Sequence, residues 1–358
     1  LALRSCLLTV GPAVKELLSL NIEKTTIEDF LKLENCESET IVHVAASKNL
    51  SDVLEALLNH KDLDACFRLE LLQGPAKNGY SALQMSLKHQ ELVKVILDSL
   101  SIQDQCKLLS TKFRDGTTAM HSVSSDAPTK TCDIILKCLE KASCETDIDL
   151  MSLVTDHDKD GNNCLHLAAQ KGYWHVIDFV LQLFPAIQDH AKLLMTRDSV
   201  GNSLLHLMSV NFENFKKTLE SFKNHEDRCF DIISLKNSCG QMVVHKVLTD
   251  ENLSEENQLE IVKCILNAVP REKCVGMLKD LDSKQESVLH IVSSKGKCSI
   301  MLHVLQSLTK TEDVMDLLRC RGAGGKSVLH YCYDNKEMLT SVFASLSDDA
   351  NKIGERKR

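Results

Sequence analysis

The apolar positions of this chain fall into short stripes that return about every 40 residues. Val176, Ile177, Val180 and Leu181 follow the i, i+1, i+4, i+5 spacing of a helix that buries one face. The spacing recurs at Val53-Leu54…Leu57-Leu58, Val93…Ile96-Leu97, Ile134-Ile135…Cys138-Leu139, Ile261-Val262…Ile265-Leu266, Ile300-Met301…Val304-Leu305 and Met338-Leu339…Val342-Phe343. A shorter apolar phrase precedes these stripes, clearest in Asp160-Gly161-Asn162-Asn163-Cys164-Leu165-His166-Leu167-Ala168-Ala169. Eight such phrases centre on His43, Gln84, His121, His166, His206, His245, His290 and His330, at intervals of 41, 37, 45, 40, 39, 45 and 40 residues, and six carry a preceding Gly. Between phrase and stripe, Gly172 can cap the first helix. Each unit is therefore predicted as a turn, a short helix, a tight turn and a second helix. No unit encloses its stripe alone, so neighbours must cover it and the core runs along an array.

The phrases Thr40-Ile41-Val42-His43-Val44-Ala45, Asn163-Cys164-Leu165-His166-Leu167-Ala168, Ser203-Leu204-Leu205-His206-Leu207-Met208, Ser287-Val288-Leu289-His290-Ile291-Val292 and Ser327-Val328-Leu329-His330-Tyr331-Cys332 resemble the Thr-Pro-Leu-His-x-Ala signature of ankyrin repeats. The resemblance covers roughly residues 39–346. It departs from the family in three ways. The motif Pro is absent, Gln84 replaces a His, and the period exceeds the family's roughly 33 residues. The excess lies between the second helix and the next turn, as in Gln105–Leu109, His190–Met195, Cys229–Ile233, Lys273–Leu278 and Asp313–Leu318. Each is predicted to add one short helical turn docking an apolar pair. The resemblance implies an all-α ankyrin-repeat solenoid with turn or hairpin connections. Degenerate capping helices are expected at 1–38, from Val14, Leu17, Leu18 and then Ile27, Phe30, Leu31. The array of about eight repeats spans 39–346, and a polar tail 347–358.

Composition narrows the function. A net charge of −8 and the lack of a basic stripe argue against nucleic acid, because a phosphate footprint needs clustered Lys and Arg. Fifteen Cys without a CxxC read as reduced thiols and point to a cytoplasmic setting. No run of 18 apolar residues predicts a membrane span. The opening Leu1-Ala2-Leu3-Arg4 lacks an initiator Met and a cleavage pattern, so a fragment of a longer protein is expected.

Several stretches imitate chemistry. Asp156-His157-Asp158-Lys159-Asp160-Gly161 starts like a calcium loop, but its twelfth position is Leu167 rather than a bidentate Glu. A repeat turn with Gly161 at positive φ is the reading adopted. Gly322-Ala323-Gly324-Gly325-Lys326-Ser327 looks like a phosphate loop, but Cys320 stands where its first Gly is required. His43, His121, His166, His206, His245, His290 and His330 occur once per repeat. At a helix-packing spacing of roughly 8–10 Å they are too far apart to share a metal, and a structural role follows. Tyr173 and Trp174 are either packing residues or a binding anchor. Asp250, Glu251, Glu255, Glu256 and Glu260 read as an acidic loop inserted in the sixth repeat.

No nucleophile–base pair or metal set stands out, and no cofactor is expected. The expectation is a non-enzymatic scaffold that binds a protein partner through turn tips and first-helix faces. Tip candidates are Lys77, Asn78, Arg114, Asp115, Lys159, Asp160, Asp198, Ser199, Asn237, Ser238, Lys284 and Gln285, and the binding patch is drawn around Lys159, Asp160, Lys171, Tyr173, Trp174, Asp198, Ser199 and Asn202. The alternatives are the cytosolic regulatory domain of an ion channel and a soluble NF-κB-inhibitor-like regulator.

Overall fold

The structure, a computed structural model, describes residues 24–343 except 114, 115, 126, 146, 147, 309, 334 and 341. The expected helix around Val14 to Leu18, the tail 347–358 and the tip candidates Arg114 and Asp115 lie outside the described residues. Regular structure among the described residues is helical, with isolated bridges only at Arg197–Ser203 and Arg321–Ser327. The chain divides into two compact units, Leu1–Pro185 and Ala186–Arg358, where the sequence reading drew one array. Pro185 follows the last residue of a helix cap, Phe184, and disfavours helical backbone there.

In the first unit, α1 (Lys24–Leu31) precedes three trios of helices: α2–α4 (Ile41–Ser47, Ser51–Leu58, Ala65–Gln73), α5–α7 (Ala82–Ser86, Gln90–Asp98, Ile102–Ser110) and α8–α10 (Ala119–Ser125, Thr129–Glu145, Leu150–Thr155). The pair α11 (Cys164–Lys171) and α12 (Trp174–Leu183) completes it. Like packs on like. First helices α2, α5, α8 and α11 contact one another in sequence, as do the second helices α3, α6, α9 and α12, and α4 contacts α7.

The second unit begins with α13 (Ile187–Met195) and continues through α14–α16 (Leu204–Met208, Phe212–Ser221, Glu226–Ile233), α17–α19 (Val243–Thr249, Glu255–Ala268, Arg271–Lys279) and α20–α22 (Val288–Ser294, Cys298–Ser307, Thr311–Arg319) to α23 (Val328–Cys332). The same order of contacts holds here: α14, α17, α20 and α23; α15, α18 and α21; α13 with α16; α19 with α22.

The predicted stripes supply much of the core, although Ile134, Leu181, Leu266 and Leu339 are only half-buried and Phe343 is 63% exposed. Val53, Leu54, Leu57 and Leu58, and likewise Ile261, Val262 and Ile265, are buried. The predicted single extra turns are helices in their own right, such as the nine residues of α7 and of α19. Their apolar pairs are fully covered: Leu108 and Leu109, Ile232 and Ile233, Leu317 and Leu318. Two more third helices, α4 and α10, escaped the sequence reading although Leu71-Leu72 and Leu153-Val154 carry the same signal. Local caps explain several starts. Asp64, Ser101 and Asp149 accept the N–H three residues on, which satisfies a helix-end donor. The acidic insertion is a loop only in part: Asp250 and Glu251 lie in the turn before α18, whereas the three glutamates that follow are helical. Glu255 and Glu256 form the first turn of α18 after the Ser254 cap, where carboxylates suit the helix dipole, and Glu260 pairs with Lys263 at 2.6 Å. The extra residues lengthen this second helix to 14.

Candidate functional site

Every phrase begins with the same five-residue turn. In turn 158–162 the Asp158 N–H donates to the Asn162 carbonyl at 2.8 Å, and the Gly161 N–H to the Asp158 carbonyl at 3.1 Å. Asp158 Oδ1 also accepts the N–H groups of Asp160 (2.9 Å) and Asn162 (2.8 Å). Asx side chains favour such turns because they bond their own backbone two residues on. Asn35, Asp198, Asn237 and Asp282 do the same in their turns, and the turns led by Ala76, Phe113 and Gly322 keep the two backbone bonds. The fourth residue takes positive φ throughout: Ser38, Gly79, Gly116, Gly161, Gly201, Gly240, Gln285 and Gly325. The calcium-like and phosphate-like stretches are two of these turns. Asp158 is occupied by amides, Asp156 pairs with Lys112 at 2.8 Å, and Leu167 lies in α11.

Successive turns are tied together. The Lys77, Ser238 and Ser283 N–H groups donate to the carbonyls of Glu37, Val200 and Cys239 at 2.9, 3.0 and 3.0 Å. The motif histidines add a second tie. The N–H of the helix-capping residue donates to His Nδ1 at Thr40–His43, Thr118–His121, Asn163–His166, Ser203–His206, Ser287–His290 and Ser327–His330. An Nδ1 that accepts leaves the proton on Nε2 in the neutral ring. Nε2 then donates forward, to the carbonyls of Gly74 (2.8 Å) from His43, Asn162 (3.1 Å) from His121, Gln241 (3.0 Å) from His206, Asp280 (3.1 Å) from His245 and Lys326 (3.2 Å) from His290. Burial pushes the imidazole pKa down at each of these five, to about 4 at His206. Gln84 imitates the ring: its Oε1 accepts the Ser81 N–H at 3.3 Å, but its amide reaches only the Ser122 hydroxyl at 3.5 Å. At His245 the capping residue is Met242, which has no hydroxyl, and Nδ1 is buried without a partner.

A third tie was missed by sequence reasoning. The residue just before a turn is basic in four places, Lys112, Arg197, Lys236 and Arg321, and three of them reach forward. Lys112 pairs with Asp156 at 2.8 Å and Lys236 with Asp280 at 2.6 Å, each reaching the next turn's approach, and Arg197 Nη1 donates to the Lys236 carbonyl. The recurring Lys or Arg at one phase of the repeat was the available signal.

These ties fix the backbone and leave particular side chains outward. At the second and third turn positions Cys36 and Glu37, Lys77 and Asn78, Lys159 and Asp160, Ser199 and Val200, Ser238 and Cys239, and Ser283 and Lys284 are all exposed. Of the drawn patch, Lys159, Asp160 and Lys171 are exposed in the first unit and Ser199 in the second. Two members are corrected. Asp198 and Asn202 are only 8% and 6% exposed. Asp198 accepts the Val200 and Asn202 N–H groups and the Asn202 amide, so it builds the turn rather than facing a partner. Tyr173 and Trp174 are half-buried, whereas Tyr80 is exposed. Tyr80 ends its turn beside a groove of about 860 Å³ on the turn and first-helix side of the first unit, lined also by Asn78, Met85, Lys88 and His89. An aromatic at a position held in the other turns by polar or charged residues was the overlooked cue. Among the described residues no group of three His, Cys, Asp or Glu could hold a metal. No helix among them is long and apolar enough to cross a membrane. No protein-family model matches the chain, and no curated protein matches it.

Proposed function

We propose that this chain is an ankyrin-type repeat protein that acts as a non-enzymatic scaffold, binding a protein partner through its turn tips and first-helix faces. One observation carries the reading. The turn backbone is bonded alike from repeat to repeat, yet the exposed pairs at its second and third positions differ in chemistry each time, from Lys159-Asp160 to Ser199-Val200 to Ser238-Cys239. A fixed frame with variable outward groups suits recognition by complementarity along successive repeats. The groove beside Tyr80 and Met85 is the favoured anchor point, since an exposed aromatic over a partly apolar floor can be desolvated on binding. The free thiols of the described cysteines fit the reducing environment of the cytoplasm.

The reading is tested by affinity purification with the intact chain and with the Tyr80→Ala and Lys159→Glu/Asp160→Lys variants. A partner whose recovery falls with either change, while the unfolding midpoint stays put, supports it. Partners recovered equally by all three proteins defeat the assignment of this face.

A further inference from the structure

The second repeat departs from its neighbours at the motif position. At His121, His206 and His290 the ring Nε2 donates to the last carbonyl of the next turn, that of Asn162, Gln241 and Lys326. The counterpart for Gln84 is the Thr117 carbonyl, and the Gln amide makes no bond to it. Gln84 Oε1 takes the Ser81 N–H at 3.3 Å, which fixes the orientation of the amide. Its Nε2 then meets only the Ser122 hydroxyl at 3.5 Å, beyond the usual N–H···O range of about 2.7–3.2 Å. Gln84 is nonetheless only 9% exposed, so a donor buried in the fold is left weakly bonded.

Gln84 and Ser122 both line the groove of about 860 Å³ beside Tyr80. The groove crosses three first helices, from Ser47 in α2 over Met85 in α5 to Ser122 in α8. Two helix spacings of roughly 8–10 Å make it about 16–20 Å long. That is the length of roughly five or six extended residues at about 3.3 Å each. The charge left over is positive. Lys88 is exposed and makes no ion pair among the described residues, whereas Glu39 in the same groove already accepts the Asn35 amide at 2.8 Å. Charges act over about 8 Å at physiological salt, so Lys88 rather than the chain's net −8 sets the field here.

We propose that this groove holds an extended acidic segment of a partner protein, with a main-chain carbonyl on the Gln84 amide and an Asp or Glu side chain on Lys88. The proposal rests on the turn and first-helix face being the binding face. The second repeat thus gives up the tie to the next turn that a His would make, and the partner's carbonyl satisfies the amide instead. Tyr80 and Met85 supply apolar contact beside these two polar ones.

Selection on the full chain from a displayed library of random peptides tests this. Enriched peptides should share an Asp or Glu close to an aliphatic or aromatic residue. The affinity of a labelled winner, read by fluorescence polarisation, should fall about tenfold or more in Gln84→His, which turns the donor toward the next turn. It should fall about threefold or more in Lys88→Glu. The thermal midpoint of Gln84→His should be no lower than the parent's, so that lost binding is not lost fold. Basic or wholly apolar winners overturn the proposal, as does a chain that selects no peptide because another part of it fills the groove. Winners that ignore Gln84→His and Lys88→Glu but fail on Lys159→Glu/Asp160→Lys sink this groove and leave the binding face standing. Winners indifferent to all three variants sink both.

Discussion

The turns 198–202 and 282–286 share a bonding frame but differ in the residue that takes the left-handed conformation. Asp198 Oδ1 accepts two N–H groups at 3.0 and 2.8 Å, and Asp282 Oδ1 accepts two at 2.9 and 3.0 Å. Yet the fourth residue is Gly201 at φ 74° in one and Gln285 at φ 59° in the other. The frame, then, comes from the carboxylate and the backbone bonds, and it can force a residue with a Cβ into a costly conformation. Glycine lowers that cost, and at 201 it does more: a Cβ there would lie 2.8 Å from the Ser238 N of the next turn.

The largest break in this comparison should come from Asp198→Lys. It removes the carboxylate that accepts two backbone N–H groups and puts an unpaired cation in a nearly closed site, for a loss of roughly 3–5 kcal/mol by chemical denaturation. Lys159→Glu in an exposed tip serves as the neutral control, within about 0.5 kcal/mol. Acid should weaken the second unit next. His206 titrates near 4 in the fold against about 6.5 unfolded, so the unfolded chain binds more protons between those values. Stability is intact above about pH 6.5 and declines as pH falls toward 4, by about 3 kcal/mol from this ring. A His206→Gln variant should flatten that slope; an unchanged slope would reject the assignment. Gly201→Ala combines a positive φ with the close approach to Ser238 and should cost roughly 1–3 kcal/mol. Gln285→Gly is the smallest effect and has the opposite sign, a gain of about 0.5–1 kcal/mol. A loss there would mean that the Gln side chain contributes more than its backbone costs.

The helices were legible because periodicity reports burial directly. Val176, Ile177 and Val180 had to face inward whatever covered them, and they do. The motif histidines were legible as structural, though their bonding direction was not, since that depends on the carbonyl presented 31–41 residues later. Tip burial was hidden for a different reason. Asp160 and Asp198 look alike in sequence, but one is the third residue of its turn and the other the first, and only the first turns its carboxylate into the amides. Glu255, Glu256 and Glu260 were misplaced into the loop that holds Asp250 and Glu251, because carboxylates suggest solvent, which a helix N-terminus satisfies as well as a loop. Third helices α4 and α10 carry the same apolar pair as the third helices that were read, and their omission has no physical reason.

The capping position ahead of His245 has a consequence in time. In six of the motif histidines Nδ1 accepts the capping residue's N–H, but at His245, capped by Met242, that nitrogen is sealed from water with nothing to bond. Each opening of turn 237–241 returns a water to it and so recovers about 1–3 kcal/mol that closure withholds. The sixth repeat is therefore expected to breathe faster than its neighbours. Amides of α17 should exchange with solvent ahead of those of α14 and α20, making one unpaired ring nitrogen the pacemaker of motion in its unit.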